Sequence, residues 1–190
     1  MSKFNAKVDG TKVITGKVRA SYAHVFEPQS FSGKGDDLKY SVSLIIPKDD
    51  KATIDAINKA VAAAIEEGKT GGFKGKMPKS DKLPLKDGDT ERATDEAYVS
   101  ALYVSAISIS KPQVVNSKKE RIADPEKFYS GCYCLASLNF YPFNFNGTVG
   151  VACGLNNILS LEEGEPLAGR SEATSDFADF FDDDADPLLG

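Results

Sequence analysis

The chain has no tryptophan and only one histidine, His24, among its 190 residues. A single imidazole on an apparently apolar strand reads as a packed residue and offers little for histidine-based acid–base chemistry. No P-loop, H-E-x-x-H or G-x-S-x-G motif occurs, so no enzyme class is indicated. Three cysteines, an odd number, do not make the disulfide framework of a small secreted domain. Cys132 and Cys134 stand two apart on a strand-like run, so they share a face without bridging geometry. With Cys153 and His24 they would make a Cys₃His set, but the spacing is not that of a zinc knuckle or ribbon. Buried free thiols, no metal and no cofactor are expected. No stretch approaches the roughly 20 apolar residues that span a bilayer, and MSKFNAKVDG lacks a signal peptide's apolar run. The expectation is a soluble cytoplasmic protein with no membrane partner.

Base is also missing from one place. No Lys or Arg follows Arg170, and the chain ends DFADFFDDDADPLLG. Asp176, Asp179, Asp182, Asp183, Asp184 and Asp186 alternate there with Phe177, Phe180, Phe181, Leu188 and Leu189. Like charges repel, and so little apolar area cannot offset chain entropy, so 169–190 is expected to be a disordered tail. The phenylalanines give it a second use. A solvating tail needs none, whereas a tail that docks on a partner does. With 160–190 set aside, the net −5 of the chain resolves into a mildly basic body, +4 over 1–159.

The body, about 165 residues, is long enough for one domain with a real core. Residues 12–28 read as a long strand, interrupted or bent at Gly16 and stopped by Pro28. Leu38, Tyr40, Val42, Leu44 and Ile46 alternate with polar residues, a half-buried strand. Ile54, Ile57, Val61 and Ile65 then recur at helical spacing. They predict one helix over roughly 50–67, capped by Asp49 or Asp50, with Gly68 at C′. Residues 69–92 lose both periods and form a long loop with six lysines. Strands follow at 98–110, 132–143 and 145–154, the last two joined through Asn146-Gly147. Residues 114–121, VVNSKKER, read as a hairpin with a basic tip at Lys118, Lys119 and Arg121. The layout is mainly β, an OB-like five-stranded barrel over 1–168 with one α-helix.

This composition suits single-stranded nucleic acid, which asks for cations along the phosphates and flat faces under the bases. Lys69, Lys74, Lys76, Lys79 and Lys82 of the loop, with Lys118, Lys119 and Arg121, supply the first. Tyr98, Tyr103, Tyr129, Tyr133, Tyr141, Phe143 and Phe145 are available for the second. Tyr103 and Tyr133 are the first choices, then Phe73, in the middle of the lysine loop, and Tyr141.

The segments GGFKGKMPK (71–79), KLPLKDGDTER (82–92), YSGCYCLASLNFYPFNFNGTVGVACGLNNI (129–158) and EPLAGR (165–170) resemble a phage family of single-stranded DNA-binding proteins. The resemblance runs from the first strand to Arg170. It implies an OB fold and a role in phage DNA replication, recombination or repair, in the cytoplasm of the infected bacterium. The tail is similar in kind to those that recruit replication partners. It departs from the bacterial pattern, which closes on an acidic run and a terminal Phe, by ending Pro187-Leu188-Leu189-Gly190.

The reading is therefore a non-enzymatic, sequence-independent single-strand binder. Its tail, with Phe177, Phe180, Phe181, Asp182, Asp183 and Asp184, would compete with DNA and recruit phage or host replication and recombination proteins. Duplex DNA and self-association are left open. The rival from another class is a β-rich virion component.

Overall fold

The alternation of 38–46 becomes a strand whose inward side chains, Val42, Leu44 and Ile46, are buried in the core. The computed structural model describes residues 4–30 and 32–167. Within them lie β1 (Lys7–Asp9), β2 (Lys12–Ile14), β3 (Val18–Ser30), β4 (Leu38–Pro47), helix α1 (Lys51–Glu67), β5 (Lys86–Asp87), the single-turn helix α2 (Gly88–Glu91), β6 (Ala101–Ser108), β7 (Gln113–Val115), β8 (Tyr133–Phe145) and β9 (Thr148–Glu162).

Five of these strands close into a ring. β3 pairs with β4, β4 with β6, β6 with β9, β9 with β8, and β8 with β3; all are antiparallel except β6–β9. Two seams are short. β3 meets β8 through Val18↔Cys134 and Arg19↔Tyr133, and β6 meets β9 through Ala106↔Cys153 and Ile107↔Gly154. The ring is thus OB-like and mainly β, but not a true closed barrel. α1 lies against β8 and the β1–β2 hairpin. It buries Ala56, Ile57, Ala60, Val61 and Ala64. Asp50 caps it, accepting from the Thr53 amide at 3.1 Å.

Four local expectations are corrected. The first strand is interrupted at Gly16 into β2 and β3, as its sequence suggests, but Pro28 does not stop it: β3 runs on to Ser30. Pro28 is tolerated because the β3–β4 register shifts between His24 and Gln29, where no ladder bond is required of it. β9 continues past Gly154 to Glu162. The 69–92 segment is not a bare loop: it holds a π-helical turn at Gly68–Gly72, a 3-10 turn at Ser80–Lys82, β5 and α2.

The fourth concerns Gly68, which is right-handed helical (φ −62°) and not a left-handed cap. Its missing side chain has another use. A Cβ there would stand 2.4 Å from the Phe73 ring, so glycine lets Phe73 fold back onto the end of α1.

Candidate nucleic-acid interface

The alternation that points Val18, Ala20, Val42, Leu44, Val104 and Ala106 inward turns the intervening residues out. On β4 and β6 these are Ser43, Ile45, Tyr103, Ser105 and Ile107, forming one outer sheet face. Residues 88–98 fold over part of it. Tyr98 is fully buried there, its hydroxyl 2.9 Å from Ser43 Oγ and its ring edge-on to Tyr103 at 5.1 Å. Ile45, Ala101 and Leu167 complete this small outer cluster.

Arg92 caps it. Its guanidinium lies 5.1 Å from the Tyr22 ring, 5.6 Å from Tyr103 and 5.7 Å from Tyr98. Burial opposes its charge, but a hydrogen bond to Tyr103 and the surrounding tyrosines outweigh that and raise its pKa. Tyr22 reaches this position because β3 slips register between Ser21 and His24. That irregularity sets Tyr22 at φ +45° and leaves its ring exposed.

Three recesses run across the face. The first, about 570 Å³, is lined by Lys17, Arg19, Ile45, Lys48, Val99 and Tyr133. Lys17 Nζ and the Arg19 guanidinium stand 5.0 and 5.4 Å from the Tyr133 ring centre. Arg19 also lines the second, about 990 Å³, with Tyr22, Arg92, Pro166 and Leu167. Glu91, Asp95, Glu96 and Glu165 rim that middle recess, so the basic side chains of the face lie toward its two ends. Arg92 in turn lines the third, about 240 Å³, with Lys86, Tyr103, Ile107 and Phe143. Next to it Lys76, Met77, Lys79 and Lys82 gather against the β8–β9 turn around a further recess of about 540 Å³.

β8 adds a row of rings. Its register with β9 is regular from Tyr141 to Phe145, so Tyr141, Phe143 and Phe145 share the outward face, about 7 Å apart along the strand. Gly150 of β9 makes room for Phe143: a Cβ there would meet the Phe143 ring at 2.5 Å, whereas one on Gly154 would make only an ordinary contact, 3.5 Å, with the Tyr141 ring. Burial, then the nearby Cys153, raises the Tyr141 hydroxyl pKa. Gly150 of GTVGVACG therefore seats the Phe143 ring on the ring's outer wall.

The chain's own fold has a counterpart among known proteins. A model of the family described as "Enterobacter phage Enc34, ssDNA-binding protein" matches residues 11–188. The chain belongs to that family. A relative, "Putative protein p50" of Acyrthosiphon pisum secondary endosymbiont phage 1, is 29% identical over 170 residues, 86% of this chain and 90% of its own length. Among solved structures, the single-stranded DNA-binding protein from bacteriophage Enc34 in complex with ssDNA superimposes with a TM-score of 0.75 at 23% identity. That match covers 88% of this chain and all of the other. A C-terminal truncation of the Enc34 protein gives 0.68 at 25% identity, over 86% and 98% of the two chains. The bacteriophage T7 single-stranded DNA-binding protein gp2.5 gives 0.56 at 19%, over 85% and 97%. The fold of this chain is that of these single-strand binders.

Within this Enc34-type fold the residues singled out by sequence separate into groups. Lys76, Lys79 and Lys82 come together, and Tyr103, Tyr133 and Tyr141 all lie on the outer wall, though Tyr103 is only 7% exposed beneath Arg92. Lys69 is paired with Glu66 at 2.7 Å. Lys74 is exposed at φ +50° without an ion pair among the described residues. Phe73 is corrected: it is 0% exposed, a core residue at the end of α1, and offers no face to a ligand. Lys118 and Lys119 are exposed in the turn after β7; Arg121 lines a separate recess with Phe26, Lys111 and Ile122 that shares no residue with the other four. Phe177, Phe180, Phe181, Asp182, Asp183 and Asp184 lie outside the described residues.

Lys17, Arg19, Tyr22 and Arg92 are the additions; Lys86, one of the six loop lysines, and Phe143, one of the available aromatics, join them on the wall. Lys17 and Arg19 had a signal, since they alternate with Val18 and Ala20. Arg92 closes one of the segments that carried the family resemblance. Cys132, Cys134 and Cys153 are buried free thiols; burial, then Cys132, pushes the Cys134 thiol up to about 12, and burial alone raises Cys153. Among the described residues no three His, Cys, Asp or Glu gather as a metal site, and no helix is long and apolar enough to cross a membrane.

Proposed function

We propose that this protein binds single-stranded DNA without enzymatic activity and with little sequence preference. It would act in phage DNA replication, recombination or repair in the cytoplasm of the infected host. The observation that carries the reading is the outer wall itself. Aromatic faces at Tyr133, Tyr22, Tyr141 and Phe143 lie between cations at both ends, Lys17 and Arg19 at one and Lys76, Lys79, Lys82 and Lys86 at the other, with Tyr103 packed beneath Arg92 in the middle. Bases stack on any π-face, and lysines recognise any phosphate, so such a wall has little reason to prefer a sequence. The Enc34 protein, of the same family and fold, has been solved in complex with ssDNA.

The tail competes with DNA for this wall and recruits partner proteins. In support, the described chain ends at the wall. Leu167 packs on the Ile45–Tyr103 cluster, and its amide donates to the Ser130 carbonyl at 2.9 Å. An acidic segment tethered there has an effective concentration on the order of mM at the neighbouring cations.

Titration with oligo-dT and with a matched duplex, at two salt concentrations, tests the reading. Tyrosine fluorescence is the intrinsic signal, since the chain has no tryptophan. Quenching by oligo-dT, with affinity falling as salt rises, is expected. Binding of neither DNA, together with stable ring assembly, would favour a virion component.

A further inference from the structure

Phe145 is the last residue of β8 and pairs with Thr148 across the Asn146-Gly147 turn. Its ring is 73% exposed, and Met77 beside the turn is 56% exposed. This tip is held rigidly. Asn144 Oδ1 accepts from the Gly147 amide at 3.0 Å, while its Nδ2 donates to the Gly72 carbonyl at 2.9 Å. Lys76 Nζ donates to the Gly147 carbonyl, also at 2.9 Å. Both turn residues have positive φ, +50° and +84°, so the turn matches the twist of its strands and does not need the phenylalanine for its shape. A tethered, exposed aromatic on a cationic rim marks an interaction surface.

Phe145 continues the outward row of Tyr141 and Phe143, so the surface is continuous with the DNA-binding wall. It lies at the end of that row, where no further strand supports a ligand. The cations lie on two sides of the turn. Lys86 faces the Phe143 recess, while Lys76, Lys79 and Lys82 gather at the turn, with Asp81 the single carboxylate in that recess. A flat apolar face with phosphates on two strands fits this arrangement, and the exposed end of a duplex has both. Apolar side chains that wedge against base steps are a general means of gripping duplex DNA.

We propose that the β8–β9 tip is a subsite for the junction between single-stranded and duplex DNA. Phe145 stacks on the terminal base pair, Met77 supports it, and Lys76 and Lys79 hold the complementary strand. The inference rests on the reading of the wall as a single-strand track, and adds to it a preference for tailed duplexes over free single strands.

The test uses the full chain and three probes: an oligo-dT, a blunt duplex, and that duplex carrying the oligo-dT as a 3′ or a 5′ tail. A 2-aminopurine replaces adenine in the pair at the junction. The wild type should bind one tailed duplex about tenfold tighter than oligo-dT and change the 2-aminopurine emission. Phe145→Ala should still bind oligo-dT with salt-dependent affinity, and its affinity for the tailed duplex should fall by more than its affinity for oligo-dT, so that the tailed-duplex preference and the emission change are lost. Phe145→Tyr, which keeps a ring, should restore both. Equal wild-type affinity for oligo-dT and both tailed duplexes, or a preference unchanged in Phe145→Ala, would overturn the junction subsite while leaving the track intact. Loss of oligo-dT binding by the wild type would instead overturn the track and, with it, this inference.

Discussion

Arg19 holds the backbone of Glu165. Its Nη2 donates to the Glu165 carbonyl at 2.8 Å while its Nε donates to the Gly131 carbonyl at 3.1 Å. The same guanidinium lies on the Tyr133 ring. One side chain therefore joins the proposed DNA track to the root of the acidic tail. Arg19→Met should release residues 163–167, because it removes two charge-assisted bonds, each worth about 1.5–3 kcal/mol. Hydrogen exchange at the Leu167 amide should become faster while exchange in β4 and β6 stays slow. Unchanged protection at Leu167 would show that the strap does not depend on Arg19.

Truncation after Arg170 removes every tail aspartate and all three tail phenylalanines. Affinity for oligo-dT should rise, and rise most at low salt, because at about 0.15 M screening acts within ~8 Å. Replacing only Phe177, Phe180 and Phe181 with Ala should leave DNA affinity nearly constant and abolish partner binding. Equal affinities of full-length and truncated protein at low salt would mean that the tail does not occlude the wall.

The lysines divide into two sets with different expected behaviour. Replacing Lys76, Lys79 and Lys82 together with Ala should weaken binding to all sequences alike. It should also flatten the salt slope by about 0.7 for each phosphate that is no longer neutralised. Replacing Lys118, Lys119 and Arg121, which sit at a different part of the surface, should leave that slope near wild type. Salt titrations of oligo-dT binding measure both.

Phe73 belongs to the core. Phe73→Ala should cost about 3–5 kcal/mol in unfolding free energy, by analogy with other buried phenylalanines, and leave the affinity of the folded protein within about twofold. Gly68→Ala should also destabilise, since its Cβ meets the same ring. Thermal unfolding beside a binding isotherm separates this from a stacking role. A stable Phe73→Ala protein with impaired DNA affinity would contradict the assignment.

The three thiols should be silent in the native protein. All are buried, and Cys134, at about 12, and Cys153, also raised, stay protonated through neutral and mildly alkaline pH. A disulfide reagent at pH 8 should label them only at the rate of unfolding. Fast labelling without denaturant would show an open route to the ring interior.

What could be read from the sequence was local. The period of 38–46, the helix ending at Glu67 and the Asn146-Gly147 turn each follow from residues adjacent along the chain. Phe73 was not legible, because its burial depends on a glycine five residues earlier letting the ring fold back. The wall was legible only in pieces. Tyr103, Tyr133 and Tyr141 carry a visible chemistry, but the arginines that stack on them come from β3 and from the segment after α2. Only ring closure brings those together. The extra length of β9 was hidden because Asn156 and Asn157 interrupt its apolar pattern where its pairing with β8 slips register.

The central claim is that single-stranded DNA runs over the outer wall of the ring, across Tyr133, Tyr22, Arg92, Tyr103 and Phe143. Photocrosslinking the full chain to an oligonucleotide carrying 5-bromodeoxyuridine, followed by peptide mapping, tests it most directly. The account predicts adducts at Tyr22, Tyr133, Tyr141 and Phe143, suppressed by unlabelled oligo-dT. Adducts confined to the recess of Phe26, Lys111 and Arg121, with none on that wall, would contradict it.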